Sequence, residues 1–137
     1  ELSPELSRDF RGLRLWLPLK LVGADGFAAA LDEKLDLAAY AAGALRGMPE
    51  VLLVAPPQLS LLAFRHVPAR LAGDLAAQDE HNERLLAAIN ARGRVFMTSM
   101  RLAGRFVLRI CVLSFRTHRD RVDEGLADIS EAIAELG

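Results

Sequence analysis

The residue in this sequence best suited to binding chemistry is Arg109, which stands inside the apolar run RFVLRICVLSFRT at positions 105–117. Successive side chains of a β-strand point to opposite faces, so Arg109 would share its face with Val107 and Cys111. A guanidinium keeps its proton and is costly to bury without an anion. Residue types alone leave two interpretations open: a structural ion pair within the chain, or a binding site for an anionic ligand.

Three histidines and one cysteine are the other residues that could bind a metal or act as nucleophiles: His66, His81, His118 and Cys111. The histidines are too far apart to form a local metal motif. Cys111 lies between apolar residues of the predicted strand, which favours an inert core thiol. The chain has no G-x-S-x-G, P-loop or G-x-G-x-x-G motif. We therefore predict no metal site and no catalytic residue among these four.

The elements that must position Arg109 follow in the order helix, helix, strand, strand, helix, strand, strand, helix. The spacing of apolar residues and the composition predict helices over about 8–22, over 26–48 with Gly47 and Pro49 as its stop, over 79–93, and from Thr117 or Asp120 to 136. Predicted strands cover 51–55, 59–67, 94–102 and the run that begins at 105. The predicted helix caps are Ser7, Asp25, Asp79, and either Thr117 or Asp120. This order predicts an α+β fold with about four mainly antiparallel strands and helices on one face.

Composition narrows the classes of protein. A chain of 137 residues that is 52% apolar can bury one core. The net charge of -1 shows no basic excess, so we expect no nucleic-acid partner. No apolar run reaches the roughly 18 residues that span a bilayer, and the first ten residues do not resemble a signal peptide. The single cysteine excludes an intrachain disulfide and favours the cytoplasm.

Three stretches resemble the C-terminal part of the pyridoxal-phosphate-dependent group II amino-acid decarboxylases, which include the aromatic-L-amino-acid, histidine and glutamate decarboxylases. They are FRGLRLWLPLKLVGADGF (10–27), NERLLAAINARGRVFMTSMRLAGRFVLRIC (82–111) and SFRT (114–117). The family's enzymes are fold-type-I dimers in which a small C-terminal α+β domain closes over a large cofactor-binding domain. The resemblance implies that residues 1–22 end the large domain's last helix and that residues 23–137 form the small domain.

The resemblance also assigns site residues. Arg109 matches the arginine that meets the substrate's α-carboxylate in glutamate-type members, and Leu15 matches a position that lines the same cleft. Arg8 and Arg11 match an R-x-F-R stretch, while Asp9 departs from members with another arginine there, which leaves the role of that pair open.

The resemblance provides no counterpart in this sequence for the catalytic lysine of the family. It follows a histidine in a His-Lys dipeptide upstream of the region that this chain matches, so neither Lys20 nor Lys34 corresponds to it. The resemblance therefore implies a C-terminal fragment of a decarboxylase that would be inert alone. Its expected partners are the rest of its large domain, a second copy of the enzyme, an amino-acid substrate and pyridoxal 5'-phosphate. The alternative function is a stand-alone α+β module that binds another protein.

Overall fold

The computed structural model of the chain describes residues 10–137. The helices are α1 (Leu13–Val22), α2 (Ala24–Arg46), α3 (Leu75–Ala91) and α4 (Arg119–Leu136), with a 3-10 turn at Ala69–Leu71. The strands are β1 (Val51–Leu53), β2 (Leu61–His66), β3 (Thr98–Leu102) and β4 (Arg105–Cys111). The predicted order of helices and strands and the α+β class are confirmed. The chain divides into two compact units, residues 1–33 and 34–137, and the division falls within α2.

The first unit contains α1 and the start of α2. The break between the two helices is Gly23, whose φ of 83° lies in the left-handed region that favours glycine. Its N–H donates to the carbonyl of Leu19, which closes α1. The predicted boundary between residues 22 and 23 coincides with this break, whereas the compact units divide after Glu33. The assignment of the two segments to two domains stays a prediction.

The second unit is built on a sheet of four antiparallel strands in the order β1-β2-β4-β3. One face of this sheet carries Leu62, Phe64 and Leu108, which are at most 2% exposed. The helices supply the rest of that core through apolar side chains of α2, α3 and α4: Leu37, Ala38, Ala41, Leu45, Leu85, Ile89, Val122, Leu126, Ile129 and Ala132. Helices therefore pack on one face of the sheet, as the pattern predicts.

A two-residue turn joins β3 to β4. Both turn residues, Ala103 and Gly104, have positive φ angles, 48° and 76°. Such turns have the twist that adjacent antiparallel strands require, although an alanine adopts this conformation less readily than glycine. The turn sets the register in which Leu102 faces Arg105 and Thr98 faces Arg109.

The start of α3 differs from the prediction, because Asp79 is not its cap. Asp74 caps the helix instead: its side chain accepts a hydrogen bond from the backbone N–H of Ala77 at 2.9 Å. The segment 75–78 consists mostly of strong helix formers, so the helix extends back to Leu75. Asp79 lies within the helix and its carboxylate is free to bind side chains of the sheet.

The other predicted caps also differ. Ser7 lies outside the described residues, and Asp25 sits in the first turn of α2, which begins at Ala24. His118 occupies the N-cap position of α4 without a side-chain cap bond, so neither Thr117 nor Asp120 caps that helix. The carbonyl of Thr117 accepts a hydrogen bond from Lys34 Nζ instead.

A buried polar network attaches the end of β2 to α3. Asn82 is fully buried, and its side chain both accepts from the N–H of His66 at 2.9 Å and donates to its carbonyl at 2.8 Å. The two imidazoles also meet, with His66 Nδ1 2.8 Å from His81 Nε2. His81 Nδ1 is buried without a partner, so the arrangement that leaves no buried N–H unpaired puts the His81 proton on Nε2.

This burial favours neutral histidines. Burial, together with a smaller effect of the neighbouring His66, lowers the pKa of His81 to about 4. Burial also lowers the pKa of His66, although the nearby Glu50 opposes that shift. Because the unfolded chain accepts these protons at a higher pH than the folded chain, acid favours unfolding.

We predict that the free energy of unfolding decreases as the pH falls from about 6.5 toward 4, by on the order of 3 kcal/mol from His81. Replacing His81 by glutamine, which keeps an amide near the Nε2 position, should make that slope shallower. Denaturant titrations over this pH range measure the slope, and the exposed His118→Gln variant is the matched control. A His81→Gln slope equal to that of the unsubstituted chain would contradict the assignment.

The helix α1 exposes a set of large apolar side chains, of which Leu15, Trp16 and Leu21 are 60%, 53% and 76% exposed. Apolar patches of this kind favour association. We therefore predict that the 137-residue chain self-associates in isolation, and that the double variant Trp16→Gln, Leu21→Gln shifts it toward monomer. Lys20→Gln on the same helix is the control. Light scattering that shows a monomer at all concentrations for the unsubstituted chain would overturn this prediction.

Candidate functional site

Arg109 lies on the face of the sheet opposite the apolar core, here called the outer face. Alternation along the strands and their register place on this face Ala63 and Arg65 of β2, Thr98, Met100 and Leu102 of β3, and Arg105, Val107, Arg109 and Cys111 of β4. The two faces predicted for the run RFVLRIC are therefore those of the structure. Three arginines occupy the outer face, and their partners distinguish them.

Two of these arginines share one carboxylate. Arg65 Nη2 donates to Asp79 Oδ1 at 2.9 Å, and Arg105 Nε donates to the same oxygen at 3.1 Å. The Arg101 guanidinium lies 3.7 Å from the other oxygen of Asp79. The side chains of Arg65 and Asp79 are only 7% and 16% exposed, so water screens their attraction weakly. Asp79 thus pairs with both Arg65 and Arg105, compensates one of their two positive charges, and ties α3 to β2 and β4.

The surroundings of Asp79 lower the pKa of its carboxylate. Burial alone would raise its pKa, but hydrogen bonds from Arg105 and from the Phe106 amide, with the charges of Arg105 and Arg65, lower the pKa below its usual value. Asp79 therefore stays ionised across the physiological pH range.

Arg109 has a different environment. Its Nε donates to the hydroxyl oxygen Oγ1 of Thr98 at 3.1 Å, and no carboxylate among residues 10–137 forms an ion pair with it. Its side chain is half-buried, between Ala63 on one neighbouring strand and Thr98 on the other. Of the two interpretations that the sequence left open, the described residues provide no structural ion pair. A neutral hydroxyl leaves the positive charge of Arg109 uncompensated, and therefore available to an anion.

The other predicted site residues lie elsewhere. Leu15 belongs to the first unit, on α1, and Arg109 belongs to the second. Arg11 is exposed in the turn before α1, and Arg8 and Asp9 lie outside the described residues.

The prediction that Cys111 is a core thiol is wrong, because Cys111 is exposed. It is the last residue of β4 and borders a cavity of about 210 Å³ that Phe96 and Thr117 also line. Within residues 10–137 no group of three or more His, Cys, Asp or Glu is arranged to hold a metal ion. In the same range, no helix is both long and apolar enough to cross a membrane.

The lysines of the chain do not fit a pyridoxal-phosphate site. The ammonium group of Lys20 lies 6.0 Å from the Trp16 ring on the exposed surface of α1. Lys34 is only 4% exposed and donates to the carbonyl of Thr117 at 2.6 Å. A reactive lysine must present its amine to the cofactor, and Lys34 is buried in another interaction. Neither lysine therefore fits the role of the family's cofactor-binding lysine.

Sequence reasoning missed two residues that contact the arginines of the outer face, Thr98 of β3 and Asp79 of α3. Thr98 was absent from the predicted site, and Asp79 was predicted only as a helix cap. The signal for Thr98 is the Ala-Gly turn, since a two-residue turn at 103–104 places residue 98 opposite residue 109. No local signal reveals Asp79, because its partners lie 14 and 26 residues away in the sequence.

Comparisons with known proteins agree with this fold. No protein-family model matches the chain. It is 32% identical to an aromatic-L-amino-acid decarboxylase of Bacillus atrophaeus over 98% of its own length and 28% of that protein. It is 34% identical to tyrosine decarboxylase 2 of Arabidopsis thaliana over 87% of its own length and 22% of that protein. The chain thus spans about a quarter of the length of these relatives.

Solved structures give the same result. The tryptophan decarboxylase of Catharanthus roseus in complex with L-tryptophan superimposes with a TM-score of 0.83 at 29% identity, over 93% of this chain and 27% of that one. The Oryza sativa enzyme TDC with PLP and tryptamine has a TM-score of 0.86 at 24% identity, over 96% of this chain and 28% of that one. The second likeness concerns the fold alone.

Together the fold and these likenesses define the class of protein: the chain is homologous to the C-terminal region of the group II pyridoxal-phosphate-dependent amino-acid decarboxylases. Within that class its relatives are the aromatic-L-amino-acid, tyrosine and tryptophan decarboxylases. The resemblance stated from the sequence is confirmed.

We predict that Asp79→Asn lowers the free energy of unfolding by about 3 kcal/mol, because it leaves Arg65 buried without an anion. Since the folded-state pKa of Asp79 is lowered, its contribution is present at neutral pH and is lost as the pH falls below about 4. Denaturant titration at pH 7 measures the loss. The control Asp36→Asn, at an exposed position of α2, should change stability by less than about 0.5 kcal/mol. Equal stability of the two variants would contradict the role of Asp79.

Proposed function

We propose that this chain is the C-terminal part of a pyridoxal-phosphate-dependent L-amino-acid decarboxylase, in which residues 23–137 form the small domain and Arg109 binds the α-carboxylate of the substrate. The observation that carries the proposal is the uncompensated charge of Arg109 on the outer face. Homology to decarboxylases over nearly the whole chain supports the same conclusion.

The contrast among the three arginines supports the choice of Arg109. Arg65 and Arg105 already share the carboxylate of Asp79. Arg109 stands four residues beyond Arg105 on the same strand, which is about 13 Å away. Within residues 10–137 the Arg109 side chain donates only to the neutral hydroxyl oxygen of Thr98. A carboxylate that approached this face would therefore gain most from Arg109.

An arginine suits the task because its planar guanidinium donates two parallel hydrogen bonds to one carboxylate. Such a grip fixes the orientation of the substrate as well as its position. In the parent enzyme the cofactor supplies the electron sink for loss of carbon dioxide. Neither Lys20 nor Lys34 fits the role of the cofactor's lysine, so in this proposal that lysine belongs to the rest of the parent. The chain alone should be inactive.

The remaining parts of the proposal concern its surroundings. The rest of the large domain would cover the apolar residues of α1, and Leu15 would lie near the substrate in that assembly. The parent would act as a homodimer in the cytoplasm, on the basis of its relationship to decarboxylases and of the single cysteine in this chain.

We predict that Arg109→Ala in the full-length parent lowers kcat/KM, because a charged hydrogen-bonded pair is lost. The fall should correspond to a loss of roughly 2 to 5 kcal/mol in transition-state stabilisation. Arg109→Lys should retain part of the charge attraction but lose the bidentate grip. Steady-state decarboxylation of L-tyrosine and L-tryptophan measures the effect. Arg46→Ala, at an exposed position of α2, is the matched control and should leave kcat/KM unchanged.

An unchanged kcat/KM in Arg109→Ala would remove Arg109 from the site. The competing function, a stand-alone interaction module, is tested at the gene. A preceding segment of the same reading frame that contains a His-Lys dipeptide supports the decarboxylase. A reading frame that begins near Glu1 supports the module.

A further inference from the structure

We propose that Thr98 is a positioning residue for Arg109: its hydroxyl fixes the guanidinium so that the two terminal nitrogens, Nη1 and Nη2, face the substrate's carboxylate. This inference rests on the proposed function and deepens it, because it assigns the edge of Arg109 that the substrate uses.

The geometry follows from the sheet. Thr98 and Arg109 are directly opposite each other on neighbouring antiparallel strands, so both side chains emerge on the outer face. The hydrogen bond joins Arg109 Nε to Thr98 Oγ1 at 3.1 Å. Threonine is branched at Cβ and has few χ1 rotamers on a strand, so its hydroxyl is held in one place. Thr98 is therefore a fixed point for a long, flexible side chain.

The choice of nitrogen has a chemical consequence. A guanidinium can grip a carboxylate with two parallel hydrogen bonds either through Nε and one Nη or through its two Nη atoms. Thr98 occupies Nε, which removes the first option. The second option stays open, because no described residue accepts a hydrogen bond from either Nη atom of Arg109.

Because the acceptor is uncharged, Arg109 also keeps its attraction for an external anion. On Arg105 the corresponding Nε bond goes to the ionised Asp79, whose negative charge reduces the attraction of that guanidinium for another anion. The hydroxyl of Thr98 carries no charge, so it orients Arg109 without reducing its attraction for a carboxylate. Arg105 and Arg109 thus both donate from Nε, but Arg105 donates to a charged carboxylate and Arg109 to a neutral hydroxyl, which orients it.

The test compares Thr98→Val with Thr98→Ser in the full-length enzyme, loaded with its cofactor. Valine keeps the shape and the β-branch but removes the hydroxyl, whereas serine keeps the hydroxyl. We expect Thr98→Val to lower kcat/KM for L-tyrosine or L-tryptophan about tenfold, mainly through KM, and Thr98→Ser to restore most of it. Ser99→Ala is the matched control, because Ser99 is the next residue of β3 and faces away from the outer face.

Inhibition by the product amine, tyramine or tryptamine, provides a readout that a merely structural role would not give. The amine lacks the carboxylate, so its inhibition constant should not change in Thr98→Val. An equal rise in the inhibition constant and in KM would overturn the inference, since the whole site would then be disturbed.

A double-mutant cycle separates this inference from the proposed function. In an Arg109→Ala background, Thr98→Val should have no further effect on kcat/KM, because its only action is through Arg109. If Arg109→Ala is damaging but the two substitutions are additive, the role of Thr98 is wrong and the proposed function stands. If Arg109→Ala has the kcat/KM of the unsubstituted enzyme, both are wrong.

Discussion

The alternation of β4 between a core face and an outer face that carries Arg105 and Arg109 is the constraint on which the rest of the structure depends. Phe106 and Leu108 contribute to the core against the helices, and Leu108 has no exposed surface. A slip of one residue would exchange the faces and turn the guanidiniums of Arg105 and Arg109 into that core. Burial of an unpaired guanidinium costs several kcal/mol, so this register excludes its alternatives strongly. Placement of Arg109 and stability of the core therefore have the same origin.

A second constraint is the supply of negative charge. Asp79 is shared among arginines from three strands, which fastens α3 to the sheet. Among residues 10–137 no carboxylate forms an ion pair with Arg109, whose Nε donates to the neutral hydroxyl of Thr98 instead. The carboxylate that holds the fold together and the positive charge that the fold leaves uncompensated are thus parts of one electrostatic arrangement. A second acid near Arg109 would increase stability and remove the attraction for an external anion.

Much of the fold was predictable, because periodicity and turn residues are local signals. The strands before and after Ala103 and Gly104, and the end of α2 at Arg46 before Gly47, follow from residues within a few positions. The errors arise where distant residues decide the outcome. Asp79 is a residue type that commonly caps helices, but Asp74, which follows Gly73, is the cap of α3. Asp79 pairs instead with arginines of β2 and β4. The faces of β4 were predicted from its sequence, yet the partner of Arg109 depends on register, and the exposure of Cys111 depends on where the strand ends.

The turn at Ala103 and Gly104 has a consequence for how this site can change. Within β3 and β4, facing residues keep one fixed relation, from Leu102 and Arg105 at the turn to Thr98 and Arg109 at the other end. The position of the turn therefore determines which side chain of β3 faces Arg109. Suppose that one residue were inserted there, that the turn still used two residues, and that β4 kept its position. Ser99 would then face Arg109 in place of Thr98, and the opposite face of β3 would turn outward. Exposed hairpin tips usually tolerate insertions. Here the contact between Thr98 and Arg109, about 17 Å along the strands from the turn, restricts that tolerance.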